Sequence, residues 1–309
     1  MSRFRPGFFC LYQHLSPKSG IRNRYVGYCQ PVFTWGDLPA LFVITKSLNL
    51  NNVNLNLKIA VLAAGIVSMI CMGCSKSTNN DIPGQKVLIV SASGDINFRL
   101  EEFRQLLGAQ LNTAPGAVGG RREITWDGVP DDLVGKRLPD DFFNPTEPGS
   151  NPANQRGLIY TAPGSFQVSN SNFSETNPVA ASQFSSFSGN KTFSNVGSNL
   201  WDVEFQVAGA ASRASVRGFG IVFSDVDVAQ SSSLEFFNED KSLGKFFVPV
   251  RASGSSFSFL GVYFKEETVT RIRVSHQGKL TDGQPDVTDG GPADLVVMDN
   301  FLYSEPVQK

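Results

Sequence analysis

The feature that most constrains the fold is the recurrence, after Gly108, of turn-forming residues between short apolar runs. The runs are rich in Val, Ile and Phe, and Gly, Pro, Ser or Asn follow each of them within a few positions. Short strands separated by turns in this way are typical of β-sandwiches and barrels, whereas a βαβ fold needs long helical crossovers. The runs are Gly157–Ala162, Phe166–Ser169, Trp201–Ala208, Gly218–Phe223, Ser233–Phe237, Lys245–Val250, Ser256–Phe264, Val269–Ser275 and Asp294–Tyr303.

One segment near the start of this region predicts a helix instead. Asp95–Leu107 places its apolar residues four, three and four positions apart, and Asp95 is a suitable N-cap. Lys86–Ser91 before it predicts a first strand. Residues 86–309 are therefore predicted to be all-β: a single jelly-roll-like antiparallel β-sandwich with one short helix near its start.

Two connecting segments have distinct patterns. Asn238–Gly244 lies between two Phe pairs and predicts a hairpin turn. Ser171–Ser198 is a low-complexity segment rich in Ser, Asn and Phe, and it carries no secondary-structure prediction.

The charge and the cysteines divide the chain at Cys74. Residues 1–74 contain seven basic residues and one acid, so the rest of the chain is acidic although the whole carries a net charge of −1. All four cysteines, Cys10, Cys29, Cys71 and Cys74, also lie in this first part. Residues 75–309 therefore have no disulfide, Cys-rich zinc site or cysteine nucleophile, and His276 is their only imidazole.

The segment 58–74 resembles a bacterial lipoprotein signal. Lys58 precedes the apolar run Ile59–Met72, which is short for a membrane span, and the run ends at Gly73-Cys74. The resemblance implies lipid attachment to Cys74 and cleavage before it, although Cys71 stands where such motifs usually have Leu. An uncleaved signal anchor and a buried core helix are the alternatives.

The segments on either side of this signal have separate interpretations. Residues 75–85 read as a polar tether. Residues 1–57 are too long for the basic region of a signal peptide, so they are interpreted as a mis-assigned or disordered N-terminal extension.

Three aspartates are candidate metal ligands. Asp225 and Asp227 continue the face of an apolar strand, and Asp299 interrupts the last strand in the same way. A carboxylate on a core face needs a compensating cation. Pairing with Arg271 and Arg273 is one solution, and a structural Ca²⁺ bound by Asp225, Asp227 and Asp299 is the other.

Other motifs have weaker chemical implications. The acidic loop Thr281–Asp294 lacks the ligand order of an EF-hand and is expected to be solvated. Gly218 and Gly220 lie in a strand with no following helix, which argues against a nucleotide loop. Trp126 and Trp201 are candidate sugar-stacking residues if exposed, although burial is the alternative for both.

Several segments in order resemble a group of uncharacterised secreted bacterial proteins, many of which carry PEP-CTERM sorting signals. They are Arg121–Asp132, Gly157–Ser169, Gly218–Val228, Leu234–Val250, Ser256–Phe264 and Asp294–Pro306. The resemblance implies export and a jelly-roll-like sandwich, and it supplies no activity or catalytic residues. The chain departs from the group because it reaches Lys309 without a hydrophobic sorting helix.

These observations predict a lipid-anchored protein of the bacterial envelope, at the outer membrane, that presents a non-catalytic binding or adhesion sandwich. Its expected partners are the membrane, through the N-terminal lipid, and a carbohydrate or an envelope protein. The acidic charge and the lack of a basic, aromatic stripe argue against nucleic acid. A polysaccharide hydrolase using Asp225 and Asp227, and a purely structural envelope protein, are the alternatives.

Overall fold

This computed structural model describes residues 86–309 and, before them, two short strands. Those strands, β1 (Phe9–Tyr12) and β2 (Gly27–Gln30), pair antiparallel. The predicted signal segment and Cys74 lie outside the described residues. The chain divides into two compact units, Met1–Thr78 and Asn79–Lys309. Among the residues described, none of the helices has the length and apolar character needed to cross a membrane.

Strands make up most of the regular secondary structure described in the second unit. Its α-helix is α1 (Asn97–Leu107), and short 3₁₀ turns occupy Asp131–Leu133, Pro152–Asn154 and Val287–Asp289. The strands are β3 (Val87–Ser93), β4 (Arg121–Ile124), β5 (Leu158–Thr161), β6 (Ser165–Ser169), β7 (Thr192–Val196), β8 (Leu200–Phe205), β9 (Ala214–Ser215), β10 (Gly218–Ser224), β11 (Ser233–Asn238), β12 (Lys241–Phe247), β13 (Phe257–Phe264), β14 (Arg271–Ser275), β15 (Val297–Ser304) and β16 (Val307–Gln308).

Two antiparallel sheets form the body of this unit. The larger has seven strands in the order β3-β13-β10-β15-β7-β6, with β4 also paired to β15. The smaller has five strands in the order β12-β11-β14-β8-β5. The predicted all-β fold, an antiparallel sandwich with one short helix near its start, is confirmed.

The main core lies between the two sheets. Inward residues of β10, such as Phe219 and Ile221, belong to one buried cluster with Trp201 and Val203 of β8. Alternate residues of a strand point to opposite faces, so β8 buries every second side chain and leaves the others part exposed.

Helix α1 covers the opposite face of the larger sheet. Its Leu100, Phe103 and Leu107 are buried together with residues of β10, β13 and β15. Phe103 lies over Gly220 and Gly261, which face each other across β10 and β13. A Cβ on Gly261 would lie 2.7 Å from a ring carbon of Phe103. The glycines therefore allow the helix to approach the sheet, which explains the Gly218-x-Gly220 pattern.

The strand predictions differ from the structure at a few positions. The hairpin is present, but β11 and β12 extend to Asn238 and Lys241, so its loop is only Glu239-Asp240. The sequence did not predict β4, which is mostly polar, or β7, which lies inside the low-complexity segment. Both strands pair with the larger sheet next to β15, so tertiary context determines them.

Candidate functional site

The two candidate tryptophans lie in the core. Trp126 and Trp201 are each 1% exposed. The Trp126 ring stacks on Phe193 at 4.0 Å between centroids, and its Nε1 donates to the Asp299 carbonyl at 2.8 Å. The expectation that either indole offers a face to a sugar is therefore wrong, because both indoles are enclosed by other side chains.

Asp299 has its own partners and does not join the other two aspartates. Its Oδ2 accepts the backbone N–H groups of Phe187 and Ser188 at 2.6 and 3.0 Å. Burial raises the pKa of Asp299 to about 7, and these hydrogen bonds oppose the rise. The predicted ligand set of Asp225, Asp227 and Asp299 is therefore wrong in its third member.

Asp225 and Asp227 do converge, and they converge with Asp286. One carboxylate oxygen from each of the three lies within 4.8 Å of the others. Arg251 Nε lies 2.9 Å from Asp225 Oδ1 and 2.5 Å from Asp227 Oδ1. This group of four residues is called the acidic cluster below.

Three connections of the sandwich bring the cluster together. Asp225 and Asp227 directly follow β10, Arg251 follows β12, and Asp286 precedes the turn Val287–Asp289. Asp286 caps that turn by accepting the Thr288 N–H at 2.8 Å, and it accepts the Leu295 N–H at 2.7 Å.

Two expectations about this region are corrected. Arg271 and Arg273 pair with Asp202 instead of with Asp225 and Asp227, because all three side chains lie on the outer face of the smaller sheet. The loop expected to be solvated is anchored by two residues that are 0% exposed, Asp286 and Asp294.

Asp294 holds the segment that follows Asp227. Its Oδ2 accepts the N–H groups of Asp227 and Val228, each at 3.1 Å, and the Ser231 hydroxyl at 2.5 Å. No sequence pattern singles out Asp286, Asp294 and Arg251 as site residues. The Asp286-Val287-Thr288 capping pattern was the only local signal for any of them.

Burial and neighbouring negative charge raise the pKa values of Asp225 and Asp294. Burial, then the neighbouring Asp227, raises the pKa of Asp225 to about 7, and Arg251 opposes the rise. Burial also raises the pKa of Asp294 to about 6, although its hydrogen bonds oppose this. One guanidinium therefore does not balance the four carboxylates.

A second candidate site is the outer face of the smaller sheet. Residues directly opposite one another on β12, β11, β14 and β8 form a row whose charges alternate in sign. The row is Lys245, Glu235, Arg273 and Asp202. Arg273 contacts both oxygens of Asp202, at 2.9 and 3.0 Å.

The next row along these strands has an aromatic member. It consists of Phe237, Arg271 and Glu204. The Arg271 guanidinium lies 3.8 Å from the centre of the Phe237 ring, and its Nη1 donates to Asp202 at 3.0 Å. A guanidinium that is both stacked and hydrogen-bonded is held in one orientation.

A cleft of about 450 Å³ opens at the end of this face. Its charged lining residues are three acids and three bases: Glu204, Glu239, Asp240, Arg213, Arg271 and Lys309. Phe205, Ala214 and Thr270 complete the wall. The volume lies in the range usual for small-molecule sites, and the cleft shares Glu204 and Arg271 with the second row. The two rows and the cleft are together called the polar face.

His276 does not form an open catalytic group. Its Nδ1 lies 3.0 Å from the Ser232 hydroxyl, and Ser232 is 0% exposed. Burial lowers the pKa of His276 to about 4, so the ring is neutral at physiological pH.

Comparisons with known proteins give limited similarity. No family model matches the sequence, and no curated protein matches it. Among solved structures, a family 29 carbohydrate-binding module is 13% identical with a TM-score of 0.22, covering 40% of this chain and 74% of that chain. A variant of the module CBM29-2 complexed with mannohexaose is also 13% identical, with a TM-score of 0.21 and coverage of 40% and 77%. Another variant, complexed with cellulohexaose, covers 48% of this chain and 92% of its own at a TM-score of 0.22.

Proposed function

We propose that this protein is an exported, lipid-anchored binding module that holds a neutral carbohydrate on the polar face without chemically changing it. The observation that carries the proposal is that the second row connects the charge-alternating row to the cleft: Arg271 donates to Asp202 and also lines the cleft. The charge-alternating row and the cleft both contain donors and acceptors in balanced number on one open side of the sandwich.

The chemistry of this face suits a polyhydroxylated ligand. A sugar hydroxyl both donates and accepts, so it is satisfied where guanidinium donors alternate with carboxylate acceptors. The planar forks of Arg273 and Asp202 are fixed by their mutual hydrogen bonds, which lowers the entropic cost of ordering them around a ligand. A polyanion would meet as many repelling as attracting charges, and an apolar partner would leave these groups unsatisfied.

The carboxylate pair suggested for hydrolysis has a different environment. Asp225 is 2% exposed, and Asp225 and Asp227 both contact Arg251. A glycosidase needs two carboxyl groups on either side of a bound sugar. The polar face is open to a ligand, whereas Asp225 and Asp286 of the acidic cluster are buried, so binding is favoured over hydrolysis.

Export and lipid attachment are the part of the proposal that rests on sequence. The apolar run Ile59–Met72 and the Gly73-Cys74 pair support acylation of the Cys74 thiol. Two or more acyl chains would hold the protein at a membrane, whereas one chain binds only marginally. Expression in a bacterium fed a labelled fatty acid tests this: label should enter the wild-type protein and be lost in Cys74→Ser. Equal labelling of the two proteins would contradict it.

A glycan-binding experiment tests the proposed function. The purified full chain is screened against an array of neutral and acidic glycans, and the Kd for the best neutral ligand is then measured by calorimetry. Arg273→Ala should weaken this binding about tenfold or more, since a bidentate charged group leaves the face. Arg99→Ala is the matched control, because Arg99 also pairs with a carboxylate but lies on α1, and it should bind like the wild type.

Two outcomes would contradict the proposal. If no glycan binds, or if Arg273→Ala binds as well as the wild type, the polar face is not the ligand site. If the bound glycan is hydrolysed, the protein is an enzyme and the binding-module proposal fails.

A further inference from the structure

The geometry points to a second site: the acidic cluster binds a hard divalent cation, with Asp225, Asp227 and Asp286 as ligands and Ca²⁺ as the ion that fits best. This inference is independent of the glycan proposal, because the cluster and the polar face contain different residues.

The spacing of the three carboxylates suits one shared ion. Calcium ligands lie at about 2.3–2.6 Å, so two oxygens on opposite sides of one Ca²⁺ are about 4.6–5.2 Å apart. The oxygens offered by Asp225, Asp227 and Asp286 lie within 4.8 Å of one another. All three are therefore close enough to share one ion without a change in the backbone.

Unpartnered oxygens are the second observation. Asp225 Oδ2 and Asp227 Oδ2 are buried and have no hydrogen-bond partner among the described residues. A buried carboxylate oxygen without a partner costs free energy that native structures normally avoid. Arg251 contacts Oδ1 of both residues, so it leaves the other oxygen of each available to an ion.

The charges near the cluster also favour a cation. Asp294 lies close enough to add a fourth negative charge, and its Oδ1 is likewise buried without a partner among the described residues. Arg251 supplies a single positive charge to this group. A divalent ion would offset most of the remaining excess, which a second hydrogen bond from a neutral group would not do.

The ligand chemistry selects the class of ion. The three ligands are carboxylate oxygens, and no sulfur or imidazole belongs to the described cluster. Oxygen ligands suit Ca²⁺, Mg²⁺ and Mn²⁺, whereas Zn²⁺ and Cu²⁺ prefer His or Cys. Ca²⁺ accepts irregular sets of six to eight oxygens, with water completing the sphere, while Mg²⁺ demands an octahedron near 2.1 Å.

A bound ion would join two connections at one end of the sandwich. Asp225 and Asp227 belong to the loop after β10, and Asp286 belongs to the loop before β15. These loops already share Asp294, which accepts N–H groups of the first loop. The ion would therefore stabilise the folded state without taking part in ligand chemistry on the polar face.

The test measures ion binding and thermal stability of the full chain after treatment with a chelator. Equilibrium dialysis with radioactive Ca²⁺ should show one bound ion. At a hundredfold excess over Kd, Ca²⁺ should raise Tm by about 5–10 °C. Asp227→Asn should weaken Ca²⁺ binding about tenfold or more, because one ligand charge is lost. Asp299→Asn is the matched control, a buried carboxylate outside the cluster, and it should leave the Ca²⁺ affinity unchanged.

Dialysis of the wild type decides the proposal even if a variant fails to fold. Absence of bound Ca²⁺ at millimolar concentration, with Tm equal in Ca²⁺ and chelator, would mean that Arg251 alone compensates the carboxylates and would overturn the site. Equal loss of affinity in Asp227→Asn and Asp299→Asn would also overturn it, because the effect would then not come from the ligands. Glycan binding measured in chelator keeps this result separate from the proposed function.

Discussion

The two sheets of the sandwich differ in how many of their faces are covered. The larger sheet packs against the smaller one on one side and carries helix α1 on the other, so every residue of β10 and β15 is buried. Among the described elements, none covers the outer face of the smaller sheet, and β8 and β14 alternate between buried residues and more exposed ones.

This difference accounts for the composition of the strands. A strand covered on both faces is mostly apolar or small, and a polar residue such as Asp299 of β15 is hydrogen-bonded there. Gly220 and Gly261 are where the helix comes closest. A strand with one open face can carry charged residues at alternate positions without burying them. The polar face therefore occurs on the smaller sheet because no other described element covers it.

The largest expected change in the free energy of unfolding comes from removing the side chain by which α1 packs on the larger sheet. Phe103 is 0% exposed and lies over both glycines. We expect Phe103→Ala to lower the free energy of unfolding by about 3–5 kcal/mol, measured by denaturant unfolding. Phe98 on the same helix is 70% exposed, so Phe98→Ala should change it by less than about 0.5 kcal/mol. Equal effects would show that α1 does not cover the sheet as described.

A smaller change in the free energy of unfolding is expected when the pH is lowered, because His276 lies at the boundary between the sheets. The His276 ring follows β14 and packs edge-on to Phe223 of β10, with centroids 6.1 Å apart. Its pKa is about 4 in the folded protein, against 6.5 for an unperturbed imidazole, so the unfolded chain binds more protons between these values. The contribution of the neutral His276 ring to the free energy of unfolding is fully present above pH 6.5. It is lost as the pH falls from 6.5 through 4.

The matched variant isolates this contribution. Between pH 6.5 and 4, the wild type should lose about 3 kcal/mol more than His276→Gln, which cannot titrate there. Urea unfolding of both proteins across this range measures the difference. Parallel pH profiles would show that the ring is not buried as a neutral group between the sheets.

The smallest effect on stability is expected at the polar face. Arg273 is 41% exposed in its side chain and pairs with Asp202, and Arg271 also contacts that carboxylate. Exposed ion pairs contribute about 0–1 kcal/mol, so Arg273→Ala should lower the free energy of unfolding by less than about 1 kcal/mol while it weakens glycan binding. A loss as large as that of Phe103→Ala would show that the face is structural.

The sequence predicted most of the fold because covered strands have a strong local pattern. The runs at β10, β13 and β15, the helix at α1 and the hairpin between β11 and β12 were all identifiable from apolar spacing and turn residues. The strands β4 and β7 were not, because Arg121–Ile124 and Thr192–Val196 become strands only through their pairing with β15.

The candidate sites were less predictable from the sequence. Asp225 and Asp227 do converge, but not as a continuation of the strand face, because β10 ends at Ser224 and Asp225 has a left-handed φ of 72°. Their cation partner depends on which loops meet at the end of the sandwich. Arg251 lies in a connection with no distinctive pattern, and Asp286 lies in a loop whose composition suggested exposure. Predicting the polar face requires the pairing register of four strands, which the periodicity of a single sequence does not supply.

The position of β15 has a consequence for the order in which this unit assembles. The strand pairs with β10, β4 and β7, all of which precede it in the sequence. Strand β3, near the start of the unit, pairs only with the distant β13 among the described strands. The larger sheet therefore lacks its central strand until residues 297–304 are in place. Such long-range pairing is slow, so we expect the larger sheet to be completed late in folding.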